Sequence, residues 1–358
     1  MNRWWKSIKY LGAYLVPYGA FTGLYRQGLW VWSVVGIAFI LIPLLELVLP
    51  FSKANPTAEQ EEELKHRRFY DILLYLHVPL IYGVLFYYLH KVSIHAFTGV
   101  ELAGATLSVG VVLGAMGINI AHELGHRNTT FERVLAKLLL LPNNYMHFII
   151  EHNRGHHKNV STPLDPASGR YNETLFHFWL RSVSRSYISA WHLEKVKLER
   201  NGDAFWSGKN EMLRFALFQL TFAVFIAWLF GGTALLFYLL VSLTGILLLE
   251  TVNYIEHYGL QRRLLPEGIY ETVKPTHSWN SSHELGRIFL FELTRHSDHH
   301  YKANRKYQVL RHFDESPQLP AGYPGSMLLA LVPPLWFHVM NKRVRAIRHD
   351  LSYSDLGA

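Results

Sequence analysis

Cysteine is absent from the 358 residues. Its absence excludes disulfides, thiolate metal sites, iron–sulfur clusters and nucleophilic cysteine chemistry. Any electron carrier built on cysteine must therefore be a different chain or a region outside these residues. A glycine-rich phosphate loop, a dinucleotide-binding fingerprint, an internal repeat and a low-complexity tract are also lacking, so the chain does not bind its own nicotinamide or flavin in the familiar way. Charge is sparse, at 17% of residues, while 50% are hydrophobic, and 35 Lys and Arg stand against 27 Asp and Glu. The apolar residues are collected into long uninterrupted blocks. That is the pattern of a polytopic membrane protein with a substantial water-facing part, and no nucleic-acid partner is expected.

Six blocks approach the roughly 20 residues that cross a hydrocarbon core: residues 10–25, 29–49, 72–89, 99–121, 212–230 and 233–255. The first is short and interrupted by Pro17 and Gly19. It follows Arg3, Lys6 and Lys9 and reads as a first membrane helix with a basic flank, since no small-residue cleavage site ends it. A seventh stretch, 327–340, contains Pro333 and Pro334 and is expected to lie at the interface or pack on the protein. With the N-terminus inside and six crossings, the outer loops hold only Arg26 and Lys91 of the 35 Lys and Arg. That asymmetry places both termini and two large parts, 122–211 and 256–358, on the cytoplasmic side. The expected fold is one all-α membrane domain, residues 1–358, with six transmembrane helices and a helical cytoplasmic cap.

Histidine is the residue in excess, with 21 copies. "HELGH" follows the fourth block and puts His122 and His126 at i, i+4, on one face of a helix. "HNRGHH" brings His152, His156 and His157. "RHSDHH" brings His296, His299 and His300, and His257 ends the sixth block in "NYIEHYGL". All lie at one membrane face, and so many imidazoles exceed one metal's coordination shell, so two ions are implied. Imidazole suits zinc, copper, iron and nickel; iron that keeps a position open for dioxygen fits better than a closed structural zinc site. Glu123, Glu151, Glu256 and Asp298 adjoin these histidines in sequence and are candidates for hydrogen bonds to the rings. His277, His283 and His312 lie near the third cluster, and the remaining histidines are read as structural.

Three boxes of the form Hx3H, Hx3HH and Hx2HH on a membrane scaffold resemble the membrane fatty-acid desaturase and hydroxylase superfamily. Within it, "HELGHR", "EHNRGHH", "NYIEHYGL" and "RHSDHH" resemble the membrane-bound alkane 1-monooxygenases, the AlkB family, from about Gly99 to Arg311. One departure is Thr294, where the family's third box usually has glutamine. The resemblance implies a non-haem di-iron enzyme of the bacterial inner membrane, its two iron ions held by His122, His126, His152, His156, His157, His257, His296, His299 and His300. It implies the reaction R-CH3 + O2 + 2e− + 2H+ giving R-CH2OH and water, on medium-chain n-alkanes drawn from the membrane lipids. The electrons would come from rubredoxin, reduced by an NAD(P)H-dependent rubredoxin reductase.

Rubredoxins are typically acidic, so Lys302, Arg305, Lys306 and Arg311, which follow the third box, are candidates for docking; the alternative is contact with lipid headgroups. The nearest rival function is a lipid hydroxylase or desaturase with the same centre. A more distant one is an intramembrane zinc metalloprotease using HELGH with Glu123 as base. A metal transporter is disfavoured because the spans themselves are poor in ligands.

Overall fold

The computed structural model describes residues 5–354; Arg3 of the basic N-terminal flank lies outside them. Among the described residues the fold is helical throughout, with isolated bridges and no named strand. Four helices are long and apolar enough to cross a membrane: Gly28–Glu46, Arg68–Ser93, Gly99–Gly125 and Glu211–His257. The last is two helices joined at Gly231, whose φ of 86° and ψ of 171° no helix accommodates. Glycine permits that backbone because it has no Cβ. The break falls on the Gly231-Gly232 turn expected between the fifth and sixth segments.

The first expected segment is composite: Trp5–Ile8, a 3-10 stretch Lys9–Tyr14 and an α-helix Leu15–Arg26 follow one another without a break, and it is not among the four helices above. Its buried face is Val16, Pro17, Gly19, Ala20, Gly23 and Leu24, packed against the neighbouring helices, while Leu15, Tyr18, Phe21 and Tyr25 are exposed. The 327–340 stretch lies on the protein, as expected of one of its two options. Helices Tyr323–Ala330 and Pro333–Ser354 bury Met327, Ala330, Trp336 and Met340 against Tyr254 and Tyr258.

Gly99–Gly125 is the central element: 83% of its most apolar stretch is buried in the protein, against 17% for Gly28–Glu46. Small residues permit this. A side chain at Gly110 would collide with Thr244, and one at Gly114 would stand 2.9 Å from the Gly245 carbonyl oxygen. Glycines four apart let two membrane helices approach closely where lipid offers no hydrophobic drive for association. Beyond Gly114 the helix widens into a π-turn, Leu113–Ile118, and the Leu113 carbonyl accepts from Asn143 Nδ2 at 3.3 Å. On the outside, Leu217, Leu220, Val224, Leu236, Leu239 and Leu243 are exposed. A surface of that kind requires cover by lipid.

The other end of the molecule carries the polar cap, tied to the N-terminal helix by one buried carboxylate. Glu292 accepts from Tyr10 Oη at 2.6 Å, Arg287 Nε at 2.6 Å and Lys9 Nζ at 3.3 Å. Burial alone would raise its pKa, but Arg287, Lys9 and Arg295 outweigh burial and hold it at about 2.

Two outcomes follow. Gly110→Val should destabilise the fold by about 1–3 kcal/mol through overpacking, whereas Gly36→Ala, facing open space, should not; thermal melting in one detergent compares them. Glu292→Gln should cost about 3–5 kcal/mol by leaving the cations unpaired. Because its folded pKa is depressed, the Glu292 contribution is whole above pH about 4.5 and is lost as pH falls toward about 2. The variant should lack that part of the acid dependence of melting.

Candidate metal centre

The Gly99–Gly125 and Glu211–His257 helices both end in the cap, the first carrying His122 and leading into His126, the second ending on His257. The middle box lies on a π-turn, His152–His156, in which the His157 N–H bonds the His152 carbonyl five residues back. That wider turn has a consequence for the ligand pattern. Residues i and i+5 come one turn apart, so His152 and His157 face the same point, with their Nε2 atoms 2.9 Å apart, and His156 faces another. The third box, on the short helix His296–Tyr301, divides in the same way: His299 turns to one side, His296 and His300 to the other.

All nine imidazoles expected from the sequence converge, in two groups. His122, His126, His152, His157 and His299 form one, and His156, His257, His296 and His300 the other. In the first group the Nε2 atoms of His122 and His299 are 2.8 Å apart, those of His126 and His152 3.1 Å, and those of His157 and His299 3.1 Å. In the second, Nε2 to Nε2 distances are 3.2 Å for His156 and His300, 3.1 Å for His257 and His296, and 2.9 Å for His296 and His300.

These distances fit a metal. Bonds of about 2.1 Å place neighbouring donor atoms about 3.0–3.4 Å apart, whereas rings facing one another through Nε2 cannot all be satisfied by sharing hydrogens. Eight of the nine rings are pushed toward the neutral form that ligation requires. Burial, with repulsion from His156 and Arg127, pushes His126 down to about 3, and burial with neighbouring imidazoles pushes His152, His157, His296, His299 and His300 well below the ordinary range. His156 alone shifts upward: burial opposes its charge, but Asp165 outweighs burial.

The carboxylates expected beside the rings need correction. Glu123 accepts from Arg127 Nη2 at 2.7 Å and from the Tyr307 amide at 3.1 Å, so it is engaged elsewhere and is poorly placed as a free base. Glu151 accepts a long bond from Ser189, 3.4 Å, and Asp298 is held by Arg305 at 2.7 Å and the Arg311 amide at 2.7 Å. Neighbours in sequence on a helix point about 100° apart, which is why adjacency to a ligand did not transfer into contact. Only Glu256 reaches an imidazole, His296, at 3.2 Å. The carboxylate that orients a ring is Asp165, whose Oδ2 lies 2.9 Å from His156 Nδ1. It was not anticipated: it sits in the "TPLDPAS" turn, where no periodicity marks it.

The proposed docking cations also change role. Arg305 pairs with Asp298, Lys306 with Asp71 at 3.1 Å, and Arg311 with Glu61 at 2.8 Å. Arg305 thus binds within the cap, while Lys306 and Arg311 tie the cap to the 58–75 stretch, and of the four only Lys302 stands exposed, over the ring of Tyr301.

A largely apolar cavity has imidazoles in its wall. Ala38, Phe39, Ile42, Val111, Ala115, Met116, Leu248, Leu249, Val252, Leu290, Leu293 and Met327 line it together with His122, His152 and His296, and Asn119, Asn253, Glu256 and Tyr323 add polar groups. Each of the three π-turns in the chain contributes to this wall: Ala38 and Phe39 lie in Ile37–Leu41, Gly114 to Met116 in Leu113–Ile118, and His152 in the third. Such turns recur at functional sites because they displace side chains from regular helical register.

Residues 99–326 match the family model described as fatty acid desaturase. The chain is 43% identical over 322 residues to alkane 1-monooxygenase 2 of Pseudomonas aeruginosa, covering 88% of this chain and 85% of that one. It is 40% identical over 341 residues to the alkane 1-monooxygenase of Ectopseudomonas oleovorans, covering 95% and 83%. It is also 30% identical over 343 residues to a xylene/toluene monooxygenase hydroxylase component of Pseudomonas putida, covering 92% and 87%.

Asp165→Asn should weaken metal binding by about 10- to 100-fold, the usual effect of removing a carboxylate behind a ligating histidine. Metal retained per chain against a graded chelator measures it.

Proposed function

The chain belongs to the alkane 1-monooxygenase family, an oxidoreductase family of desaturase-like membrane enzymes, and from that premise we propose that it hydroxylates the terminal methyl of medium-chain n-alkanes. The nine histidines would hold two iron ions, five imidazoles to one and four to the other. Bound there, iron would supply the activation of dioxygen, one of whose atoms enters the C–H bond. Two electrons arrive from rubredoxin, reduced by an NAD(P)H-dependent reductase, and the second oxygen atom leaves as water.

The observation that carries this reading is the largely apolar cavity with imidazole in its wall. An alkane has no polar handle, so its binding rests on burial at about 0.8 kcal/mol per CH2; the six methylenes of octane contribute about 5 kcal/mol. On this reading Phe39, Val111, Ala115 and Leu249, which line the cavity, hold the chain lengthwise. End-on entry then brings a methyl, and not an internal methylene, to His122, His152 and His296. Positioning of this kind selects the primary carbon although its C–H bond is the strongest in the chain. The same walls exclude water from the reacting end. The names of the relatives, alkane and xylene/toluene monooxygenases, support a hydrocarbon over a peptide substrate, and the engagement of Glu123 with Arg127 argues against the protease.

In the membrane, the reading keeps six crossings, with Leu15–Arg26 as a short first span and the Gly231 break as an outer turn. Both termini and the histidine cap face the cytoplasm of the inner membrane, where 33 of the 35 Lys and Arg then fall. Lys302 remains the docking candidate for rubredoxin.

With octane, labelled O2, rubredoxin, its reductase and NADH, the purified protein should yield 1-octanol carrying the label. An alkene without inserted oxygen would mark a desaturase. Ala115→Phe should lower kcat/KM for octane at least about tenfold while sparing shorter alkanes, because the ring fills the cavity part-way along; equal losses for all lengths would contradict the assigned route.

A further inference from the structure

The two imidazole groups are unequal, and the smaller one has a carboxylate against it. Glu256 ends the Glu211–His257 helix beside His257, is 1% exposed, and lines the cavity. Its Oε1 accepts from Tyr323 Oη at 2.7 Å. Its Oε2 lies 3.2 Å from His296 Nε2, and Nε2 is the nitrogen that His296 turns toward His257 and His300.

That contact has the length of a coordination edge. Within the four-histidine group the Nε2 atoms are 2.9–3.2 Å apart, the spacing of donors that share one ion through bonds of about 2.1 Å. It cannot be an ordinary hydrogen bond in the loaded protein, because a ligating Nε2 carries no hydrogen to donate. Charge argues in the same direction. Among the described residues, the side-chain contacts of Glu256 are Tyr323 and His296, with no Lys or Arg; a buried carboxylate is stable when paired or bound to a metal. The other buried carboxylates of the region make no contact with a group's Nε2 atoms, and among the described residues Glu151 bonds only Ser189. Asp298 and Glu123 are paired with arginines, Asp165 meets a ring at Nδ1, the side away from its group, and Glu250 bonds Tyr145 and Ser182.

Resting on the two-metal reading above, we infer that Glu256 is itself a ligand, its Oε2 giving an oxygen donor to the ion held by His156, His257, His296 and His300. The two ions are then chemically distinct, one in five imidazoles, the other in four imidazoles and an anionic oxygen. Tyr323 is a positioning residue: by holding Oε1 it aims Oε2 at the ion. The anionic donor favours the higher oxidation state of that ion, and its place in the cavity wall puts the asymmetry where substrate arrives.

The test is Mössbauer spectroscopy of the protein loaded with iron-57, with iron per chain measured on the same samples and size-exclusion profiles to establish folding. Wild type should give two resolved doublets of equal area. Glu256→Gln should shift or lose one doublet, with iron at that site bound at least about tenfold more weakly, and leave the other unchanged. Glu250→Gln removes a nearby buried carboxylate that touches no imidazole and should leave both doublets in place. Tyr323→Phe and Glu256→Asp, which keep the carboxylate, should retain two irons and shift only the one doublet, and they decide the question if Glu256→Gln does not fold. Two irons with both doublets unmoved in these variants would overturn the assignment while the di-iron reading stands. A wild type that binds one zinc and no iron pair would overturn both.

Discussion

Nine imidazole nitrogens brought within about 3 Å of their neighbours, seven of them on buried rings, form an arrangement suited to holding metal ions. The Nε2 atoms face others like them, and burial opposes relief of the repulsion by protonation in all but His156. The rest of the structure is organised around delivering those rings. Helix ends supply His122, His126 and His257, a π-turn supplies the middle box, and a six-residue helix in the cap supplies the last three. Asp165 fixes one ring, and the Glu292 network fixes the cap against the N-terminal helix.

The same backbone devices that aim the rings also shape the space leading to them. A helix in strict α register would present His152 and His157 to different sides. The π-turn brings them together and turns His156 to the second group, so one box serves both groups of imidazoles. In Gly99–Gly125 the π-turn begins just after Gly110 and includes Gly114, the two glycines that let this helix lie close to the one carrying Thr244 and Gly245, and Ala115 and Met116 within it line the cavity. Close packing on one side and an apolar passage on the other thus come from one short irregularity, with Asn143 satisfying a carbonyl that it leaves.

Much of the site was legible in the sequence because metal ligation depends on residue type and spacing. Nine histidines at i+3, i+4 and i+5 offsets, at the ends of apolar blocks, can be read without coordinates, and all nine converge. Side-chain direction was less legible. Glu123, Glu151 and Asp298 adjoin ligands in sequence yet bond Arg127, Ser189 and Arg305, and Asp165, which does orient a ring, sits in a turn with no pattern to announce it. The cations after the third box read as a basic surface, but a count of charges carries no information about their partners, and Asp71, Glu61 and Asp298 take up three of them. Among the membrane segments, the apolar blocks marked the helices well. The first, with Pro17 and Gly19, is a run of α and 3-10 turns, since composition marks apolarity but not the kind of helix that carries it.

The central claim is that two metal ions hold this fold's catalytic end together. Metals per chain, determined on protein purified without added metal and again after chelation, with melting followed on the same samples, tests it most directly. The account requires close to two irons per chain before chelation and a clear fall in melting temperature after it, reversed by restoring iron. One zinc per chain, or a cap equally stable without metal, would contradict it.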